Sequence, residues 1–268
     1  MISPKSIVIT GASAGIGAAL ATAYASPGRR MLLIARRADA LETLAETLRD
    51  AGAEVEIAAL GVDDQAGMAT AITQFDNAGP VDLVIANAGV TAGLGPDNTP
   101  EDPADTRWMI NVNLIGVMNA VEPLIPRFQK RGAGQIAMMS SIAAVRPHTN
   151  LQGYSACKAA VRAWGVALRG WLHPQGVDVC VITPGFVTSD MSARHHGPRP
   201  FEISAEKAAR IIKSGLARRE TMITFPWQLA LLVWLGNRLP PLMSDWFDRG
   251  YTARIEPDPR KTMGHKQD

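Results

Sequence analysis

The chain has 268 residues, a formal net charge of +2 and a hydrophobic fraction of 47%. This composition supplies a full apolar core and excludes disorder over most of the chain, and the near-neutral charge gives no support for a nucleic-acid partner. Two cysteines are too few for a disulfide framework and indicate a reducing compartment, and no N-terminal run is long enough for the apolar core of a signal peptide. We therefore expect a cytoplasmic protein.

Short apolar runs alternate with longer segments of helical periodicity. The runs predict strands at 6–10, 30–35, 54–60, 81–87, 134–140, 177–183 and 221–225. The segments between them predict helices at 16–25, 39–50, 64–77, 103–131, 152–173 and 204–219. This alternation indicates parallel strands with helices on both faces of the sheet. The predicted fold class is α/β, a single doubly wound (Rossmann) domain of about seven parallel strands.

The domain is expected to cover residues 1–250, and the polar tail at 251–268 is expected to fray. In doubly wound sheets, ligands bind outside the carboxyl ends of the strands. Residues directly after the predicted strands are therefore the first candidates for a functional site.

The first such segment, TGASAGIG at 10–17, allows two interpretations. Gly11 to Gly15 spell G-x-S-x-G, the turn that exposes the serine of a hydrolase, which here is Ser13. Alternatively, Gly11, Gly15 and Gly17 form a loop that holds the phosphates of a dinucleotide at a helix N-terminus. The hydrolase turn follows a central strand, whereas only about nine residues precede this one. The phosphate loop is therefore favoured.

Arg36 and Arg37 follow the second predicted strand, about 20 residues beyond the loop. An acidic residue at this place binds the ribose hydroxyls of NAD, and no carboxylate is present here. Guanidinium groups suit the 2′-phosphate of NADP(H), although two solvated arginines at a strand end are also common. The sequence therefore favours NADP(H), with NAD(H) as the alternative.

Tyr154 and Lys158, in YSACK, lie four positions apart on a predicted helix and so share a face. A free tyrosine has a pKa near 10, and a nearby ammonium favours the phenolate. Tyr154 is thus a candidate for transferring a proton during a redox reaction. The pair alone occurs by chance in many proteins, so its context decides the interpretation.

That context is a series of six motifs, each after a predicted strand and in order along residues 6–188. They are TGASAGIG, ANAG at 86–89, NVNLIG at 111–116, Ser141 at the end of the fifth strand, YSACK at 154–158 and PGFVT at 184–188. Together they resemble the short-chain dehydrogenase/reductase family, whose glycine spacing is also G-x-x-x-G-x-G. The resemblance implies an oxidoreductase that moves a hydride between a nicotinamide and a small-molecule carbonyl or secondary alcohol.

The resemblance also implies roles for individual residues. The catalytic set is Asn113, Ser141, Tyr154 and Lys158, in which Ser141 holds the substrate oxygen and Asn113 belongs to a water-linked proton path. Ser140 and Asn111 are the alternatives to Ser141 and Asn113. The cofactor-binding set is Gly11, Ser13, Gly15, Ile16, Gly17, Arg36, Arg37, Val62, Asn87, Ala88, Gly89, Tyr154, Lys158, Pro184, Gly185, Val187 and Thr188. Gly61 stands where the family has an acid that meets the adenine amino group, which leaves that contact open.

Other candidate sites and functions fit these residues less well. A non-catalytic NADP(H)-binding sensor on the same fold is the alternative, and the intact catalytic set argues against it. His195 and His196 are adjacent and point apart on most backbones, so no metal site is expected. Cys157 is expected to be a packed residue and not a reactive thiol.

Specificity is expected to depend on two segments near the C-terminus. Residues 189–203 have the position of a substrate lid, and we call them the lid. Residues 226–249 are strongly apolar and predict helices that favour a hydrophobic, lipid- or steroid-like substrate. These helices contact a membrane surface, a partner subunit or the core. The family forms homodimers or homotetramers through the helices at 103–131 and 152–173.

Overall fold

A computed structural model describes residues 3–95, 99–238, 254–256 and 258. Within these ranges, the strands are β1 (Ser6–Thr10), β2 (Arg30–Ala35), β3 (Glu54–Ala59), β4 (Leu83–Ala86), β5 (Gly134–Met139), β6 (Val177–Pro184), β7 (His195–His196), β8 (Met222–Phe225) and β9 (Arg254–Ile255). The helices are α1 (Gly15–Tyr24), α2 (Ala38–Asp50), α3 (Gln65–Ala78), α4 (Pro103–Ile110), α5 (Gly116–Val121), α6 (Ile125–Arg131), α7 (Gln152–Leu172), α8 (Asp190–Ala193), α9 (Ala205–Ala217) and α10 (Trp227–Gly236).

Seven parallel strands form one sheet in the order β3-β2-β1-β4-β5-β6-β8. The chain first builds outward from β1 to β3 and then continues on the other side of β1 with β4. This reversal leaves a crevice at the carboxyl ends of β1 and β4, which is where doubly wound sheets bind ligands. The predicted single Rossmann domain of about seven parallel strands is confirmed.

Two apolar cores lie on the two faces of the sheet, because side chains alternate along each strand. Val8 of β1 packs into one core with residues of α3 and α7, whereas Ile7 and Ile9 pack into the other with residues of α1, α2 and α9. Leu41, Ala45 and Leu48 form the buried face of α2, as their helical spacing predicts. Both faces of the sheet are thus covered.

The helix predicted at 103–131 is interrupted. A π-helical turn (Asn111–Ile115) separates α4 from α5, and a 3-10 turn (Glu122–Leu124) separates α5 from α6. Pro123 and Pro126 lack the N–H groups that a continuous helix needs. The stretch Pro103–Arg131 is long and apolar enough to cross a membrane by length and composition, yet over half of its most apolar window is buried in the domain. It is the core helix of the fold.

The C-terminal region agrees with its prediction at the apolar helix and differs from it in the tail. The apolar helix predicted from 226 is α10, and the second short helix predicted at 242–247 lies outside the described residues. The expectation that the tail frays is wrong for residues 254–256 and 258, which we call the strap: β9 pairs with β7, and Ile255 and Asp258 are buried.

Candidate active site

A cavity of about 650 Å³ opens at the carboxyl ends of the strands and extends to α10. Most of the predicted site residues line it: Gly11, Ser13, Gly15, Ile16, Arg36, Arg37, Val62, Asn87, Ala88, Gly89, Ser141, Tyr154, Lys158, Pro184, Gly185 and Val187. Gly17, Asn113 and Thr188 do not contribute to its wall. The crevice predicted from the strand pattern is therefore a single continuous site.

The glycine loop between β1 and α1 has the shape that a pyrophosphate requires. Gly11 and Gly15 have φ of +64° and +54°, in the left-handed region that favours glycine. A Cβ at position 17 would lie 2.2 Å from the carbonyl oxygen of Gly11, so Gly17 allows α1 to pack against the loop. α1 has no side-chain cap and no acidic residue in its first turn, which leaves its N–H groups and partial positive charge open to an anion.

Thr10 and Asn87 hold this loop against β4. Thr10 Oγ1 accepts hydrogen bonds from the N–H groups of Asn87 and Ala88, at 3.0 and 3.1 Å. Asn87 Nδ2 donates to the carbonyl oxygen of Thr10 at 3.0 Å and to that of Gly11 at 3.3 Å. The polar groups after β1 and β4 are thus hydrogen-bonded to each other, and these bonds hold the glycine loop in place without a ligand.

Arg36 and Arg37 stand exposed at the carboxyl end of β2. Arg37 Nη2 donates to the carbonyl oxygen of Ser13 at 2.8 Å, which ties the guanidinium to the glycine loop. A Cβ at Gly61 would lie 2.3 Å from Asp63 Oδ1, so the Asp63 carboxylate takes the space of the missing side chain. Sequence reasoning missed Asp63, which also lines the cavity. The glycine loop and these charged groups fit a dinucleotide.

Ser141, Tyr154 and Lys158 meet at the opposite part of the cavity. Lys158 Nζ lies 5.7 Å from the centroid of the Tyr154 ring, and it donates to the carbonyl oxygen of Met139 at 2.9 Å. Ser141 and Tyr154 both line the cavity, and Ser141 Oγ accepts the N–H of Ala143 at 3.2 Å. A hydroxyl, a phenol and an ammonium are therefore grouped beside the cavity.

The protonation of this group differs from the simple expectation. Burial raises the pKa of Tyr154, and the nearby hydroxyl of Ser141 offsets only part of that effect. Burial also lowers the pKa of Lys158 to about 8. Desolvation is the largest of these effects on Tyr154, so its phenol is less acidic here than a free tyrosine in spite of the nearby ammonium. A phenol that keeps its proton at neutral pH is suited to donate it.

The alternative serine and asparagine positions differ in their hydrogen bonds. Ser140 Oγ donates to the carbonyl oxygen of Lys158 at 2.8 Å and so anchors α7, which leaves Ser141 beside Tyr154. Asn111 is exposed, whereas Asn113 is fully buried. Asn113 Oδ1 accepts the N–H of Val90 at 2.8 Å and its Nδ2 donates to the Val90 carbonyl at 2.9 Å. The Asn113 side chain holds the segment after β4 and does not reach the cavity.

Thr188, a predicted cofactor-binding residue, does not line the main cavity. Thr188 is exposed, and its hydroxyl donates to the carbonyl oxygen of Ile203 at 3.4 Å, outside the main cavity. Ser189, which sequence reasoning missed, lines the cavity and caps α8 in a reciprocal pair with Ser192. The extended backbone sends neighbouring side chains to opposite sides, so a shift of one position changes which hydroxyl faces the cavity. The signal was the serine pair three residues apart before a helix.

The remaining sequence candidates have other roles. Ser13 lies beside Arg37, which has no acceptor atom and cannot take a proton from a nucleophile. Cys157 is 2% exposed, and burial raises its pKa, so it is a packed thiol. His195 is buried and lines the cavity, whereas His196 points outward to Glu256 at 2.8 Å.

Comparisons with known proteins agree with this geometry. Residues 5–198 match the family model of short chain dehydrogenases. An uncharacterized oxidoreductase of Myxococcus xanthus is 32% identical over 245 residues, which cover 91% of this chain and 96% of that protein. The 11-beta-hydroxysteroid dehydrogenase A of Sesamum indicum is 28% identical, over 99% of this chain and 80% of its own.

A solved structure gives the same result. A short chain dehydrogenase/reductase of Burkholderia phymatum in complex with NAD superposes with a TM-score of 0.79 at 25% identity, over 97% of this chain and 99% of that one. The family match covers the glycine loop, Ser141, Tyr154 and Lys158. The chain therefore belongs to the short-chain dehydrogenases, and it is an NAD(P)-dependent oxidoreductase with a nicotinamide cofactor.

Proposed function

We propose that the chain is an NADP(H)-dependent carbonyl reductase that acts on hydrophobic ketones. The observation that carries this proposal is the group Ser141, Tyr154 and Lys158 in one cavity whose far wall is built by apolar side chains of α10. The loss of NADPH absorbance with a panel of ketones of increasing chain length tests it. Reaction with none of these ketones would refute it.

The protein's groups supply the proton and hold the substrate oxygen. The nicotinamide, when bound, supplies the hydride to the carbonyl carbon. Tyr154 donates its hydroxyl proton to the carbonyl oxygen, and Ser141 donates a hydrogen bond to the same oxygen. The Lys158 ammonium stabilises the phenolate that remains on Tyr154. The raised pKa of Tyr154 keeps the proton in place until the substrate carbonyl gains charge.

The preference for NADP(H) rests on the charges at the end of β2. Arg36 and Arg37 line the cavity there, and Arg37 is held toward Ser13. A 2′-phosphate accepts charge-assisted hydrogen bonds from guanidinium groups, whereas a ribose hydroxyl gains little from them. The carboxylate of Asp63 lies beside Val62 and is the candidate acceptor for the adenine amino group.

An Arg36→Gln variant is expected to raise the KM for NADPH by about tenfold to a hundredfold, because one hydrogen bond to a charged group contributes about 1.5–3 kcal/mol. The KM for NADH should stay near the wild-type value. Arg49→Gln, which changes an exposed arginine of α2 paired with Glu42, is the matched control. Equal weakening of both cofactors would contradict the preference.

A hydrophobic substrate is supported by the cavity wall. Leu229, Leu232 and Val233 of α10 face the cavity, and Phe186 and Ile255 add to the same wall. Apolar walls with few polar groups are typical of sites for lipid-like ligands. A relative named as an 11-beta-hydroxysteroid dehydrogenase aligns with nearly the whole chain, which supports a substrate of that class.

We propose that the chain forms a homodimer or homotetramer through the helical segments at 103–131 and 152–173. Ile110 and Ile115 are each 39% exposed, and Val166 and Trp171 of α7 are 40% and 54% exposed. Large apolar side chains exposed on these helices are typical of subunit interfaces.

We also propose that α10 contacts a membrane surface. Its five most exposed apolar side chains are Trp227, Leu231, Leu232, Trp234 and Leu235, at 46–69% exposure, and we call them the α10 patch. Ten residues reach only about 15 Å, so the helix lies on a bilayer and does not span it. Tryptophans favour the membrane interface, and the patch adjoins the cavity wall, since Leu232 belongs to both.

The chain is expected to sediment with phosphatidylcholine–phosphatidylglycerol vesicles in detergent-free buffer. A Leu231→Glu and Leu235→Glu double variant should reduce the bound fraction about tenfold, because charged side chains do not enter the apolar layer. Met222→Glu, a change of an exposed apolar residue of β8 outside the α10 patch, is the control and should leave sedimentation unchanged. A wild-type chain that stays in the supernatant would refute membrane contact.

A further inference from the structure

The strap joins the lid through backbone pairing. In the antiparallel pair of β7 and β9, His195 faces Ile255 and His196 faces Arg254. The N–H of Glu256 donates to the carbonyl oxygen of Arg194 at 2.9 Å, and Arg194 Nη1 donates to the carbonyl oxygen of Glu256 at 2.9 Å. The lid is therefore fixed to a segment more than fifty residues further along the chain.

A buried ion pair secures this contact. Arg194 Nη2 lies 2.9 Å from Asp258 Oδ2, and the two side chains are 11% and 1% exposed. Arg194 Nη1 also donates to the carbonyl oxygen of Thr91 at 3.4 Å, and Thr91 lines the cavity. Removal of one member of a buried pair leaves an uncompensated charge, so this pair holds the lid, the strap and the segment after β4 together.

Ile255 brings the strap into the cavity wall. Its side chain is 8% exposed and lines the cavity, together with that of its partner His195. A Cβ at Gly93 would lie 2.8 Å from Ile255 Cγ1, so the isoleucine is packed directly against the backbone after β4. The strap lies beyond residue 198, where the family match ends. This wall is therefore a feature of the chain that the family motifs do not describe.

We propose that Ile255 limits the length of the apolar group on a substrate that can bind. We also propose that the Arg194–Asp258 ion pair positions Ile255. This inference rests on the proposed reduction of hydrophobic ketones. A branched side chain that is packed against Gly93 and lies on a strand paired with His195 cannot move away from a longer substrate, because packed interiors yield little. Substrates whose apolar group ends before Ile255 fit, and longer ones meet its side chain.

The test compares a series of methyl ketones of increasing alkyl length. Ile255→Ala is expected to raise the ratio of kcat/KM for long over short ketones by about tenfold, since a few methylenes in an apolar pocket discriminate by about that factor. Ile255→Phe should lower the same ratio. Leu231→Ala, an exposed residue of α10 outside the cavity wall, is the matched control and should leave the ratio unchanged. An unchanged ratio in both Ile255 variants would overturn the inference.

Separate measurements of KM test whether the Arg194–Asp258 ion pair positions Ile255. Asp258→Ala is expected to raise the KM for ketones about tenfold while the KM for NADPH stays unchanged, because the lid loosens and the glycine loop does not. Glu42→Ala removes the exposed pair with Arg49 and should change neither value. An Asp258→Ala enzyme with wild-type KM values would exclude the positioning role.

Calorimetric binding of the same ketones to the protein with NADPH gives the length profile without turnover. A shifted binding profile in the Ile255 variants with no reduction by any form would support Ile255 as the length determinant and refute the proposed reductase. An unshifted profile in an active enzyme would refute only the role of Ile255.

Discussion

A Tyr154→Phe variant is expected to lose about three orders of magnitude in kcat for ketone reduction, with a Kd for NADPH close to that of the wild type. Tyr154 is the phenol that lines the cavity with Ser141 and lies beside Lys158. A positioned general acid contributes about 10²- to 10⁴-fold to a rate, and phenylalanine keeps the ring while removing the proton. Stopped-flow absorbance of NADPH measures kcat, and quenching of protein fluorescence measures Kd.

Tyr24→Phe is the matched control for this experiment. Tyr24 is also a buried tyrosine, 2% exposed, but it packs in the core under α1 and does not line the cavity. Its replacement should leave kcat unchanged. Equal rates for Tyr154→Phe and the wild type across the ketone panel would exclude Tyr154 as the proton donor.

A Lys158→Met variant is expected to lower kcat about a hundredfold or more and to remove a pH dependence that the wild type shows. The pKa of Lys158 is lowered to about 8, so the ammonium is present below that pH and is lost above it. Because the charged form stabilises the phenolate, kcat/KM for NADPH should be level below about pH 8 and fall as the pH rises further. The pKa of Tyr154 is raised and adds no inflection in this range.

Rates from pH 6 to pH 10 measure this dependence. Lys213→Met is the matched control, since burial also lowers the pKa of Lys213, yet that side chain donates to the carbonyl of Ala23 far from the cavity wall. The control should retain both the rate and the alkaline decline. A Lys158→Met enzyme with the same decline near pH 8 would show that another group titrates there.

The sheet was predictable because each central strand is buried on both faces. Runs such as Ile7 to Ile9 have an apolar residue at every position instead of alternating apolar and polar residues. Strands need this pattern when helices cover both faces of the sheet. In the helix predicted at 103–131, the break at Glu122–Leu124 follows from Pro123 and Pro126, whereas the π-helical turn was not predictable because its cause is tertiary. Asn113 needs an extra residue in the turn to reach the backbone of Val90, and Gly116 lies against Val62.

The site was predictable where spacing fixes geometry. A separation of four positions along a helix brings Tyr154 and Lys158 together. The positive φ angles in the phosphate loop favour glycine at positions 11 and 15. Prediction was weaker where side chains from distant segments share a space. Three features depend on the folded backbone. They are the position of the Asp63 carboxylate beside Gly61, the presence of Ser189 in place of Thr188 in the cavity wall, and the packing of Ile255 in the strap.

The π-helical turn at Asn111–Ile115 also constrains which sequence changes this segment tolerates during evolution. One residue more or fewer in a helix rotates everything beyond it by about 100°. Loss of a residue here would restore a regular helix, turn Val117 and Val121 away from the sheet and release Val90 from Asn113. Natural variation in this segment should therefore consist of replacements, with insertions and deletions confined to surface loops.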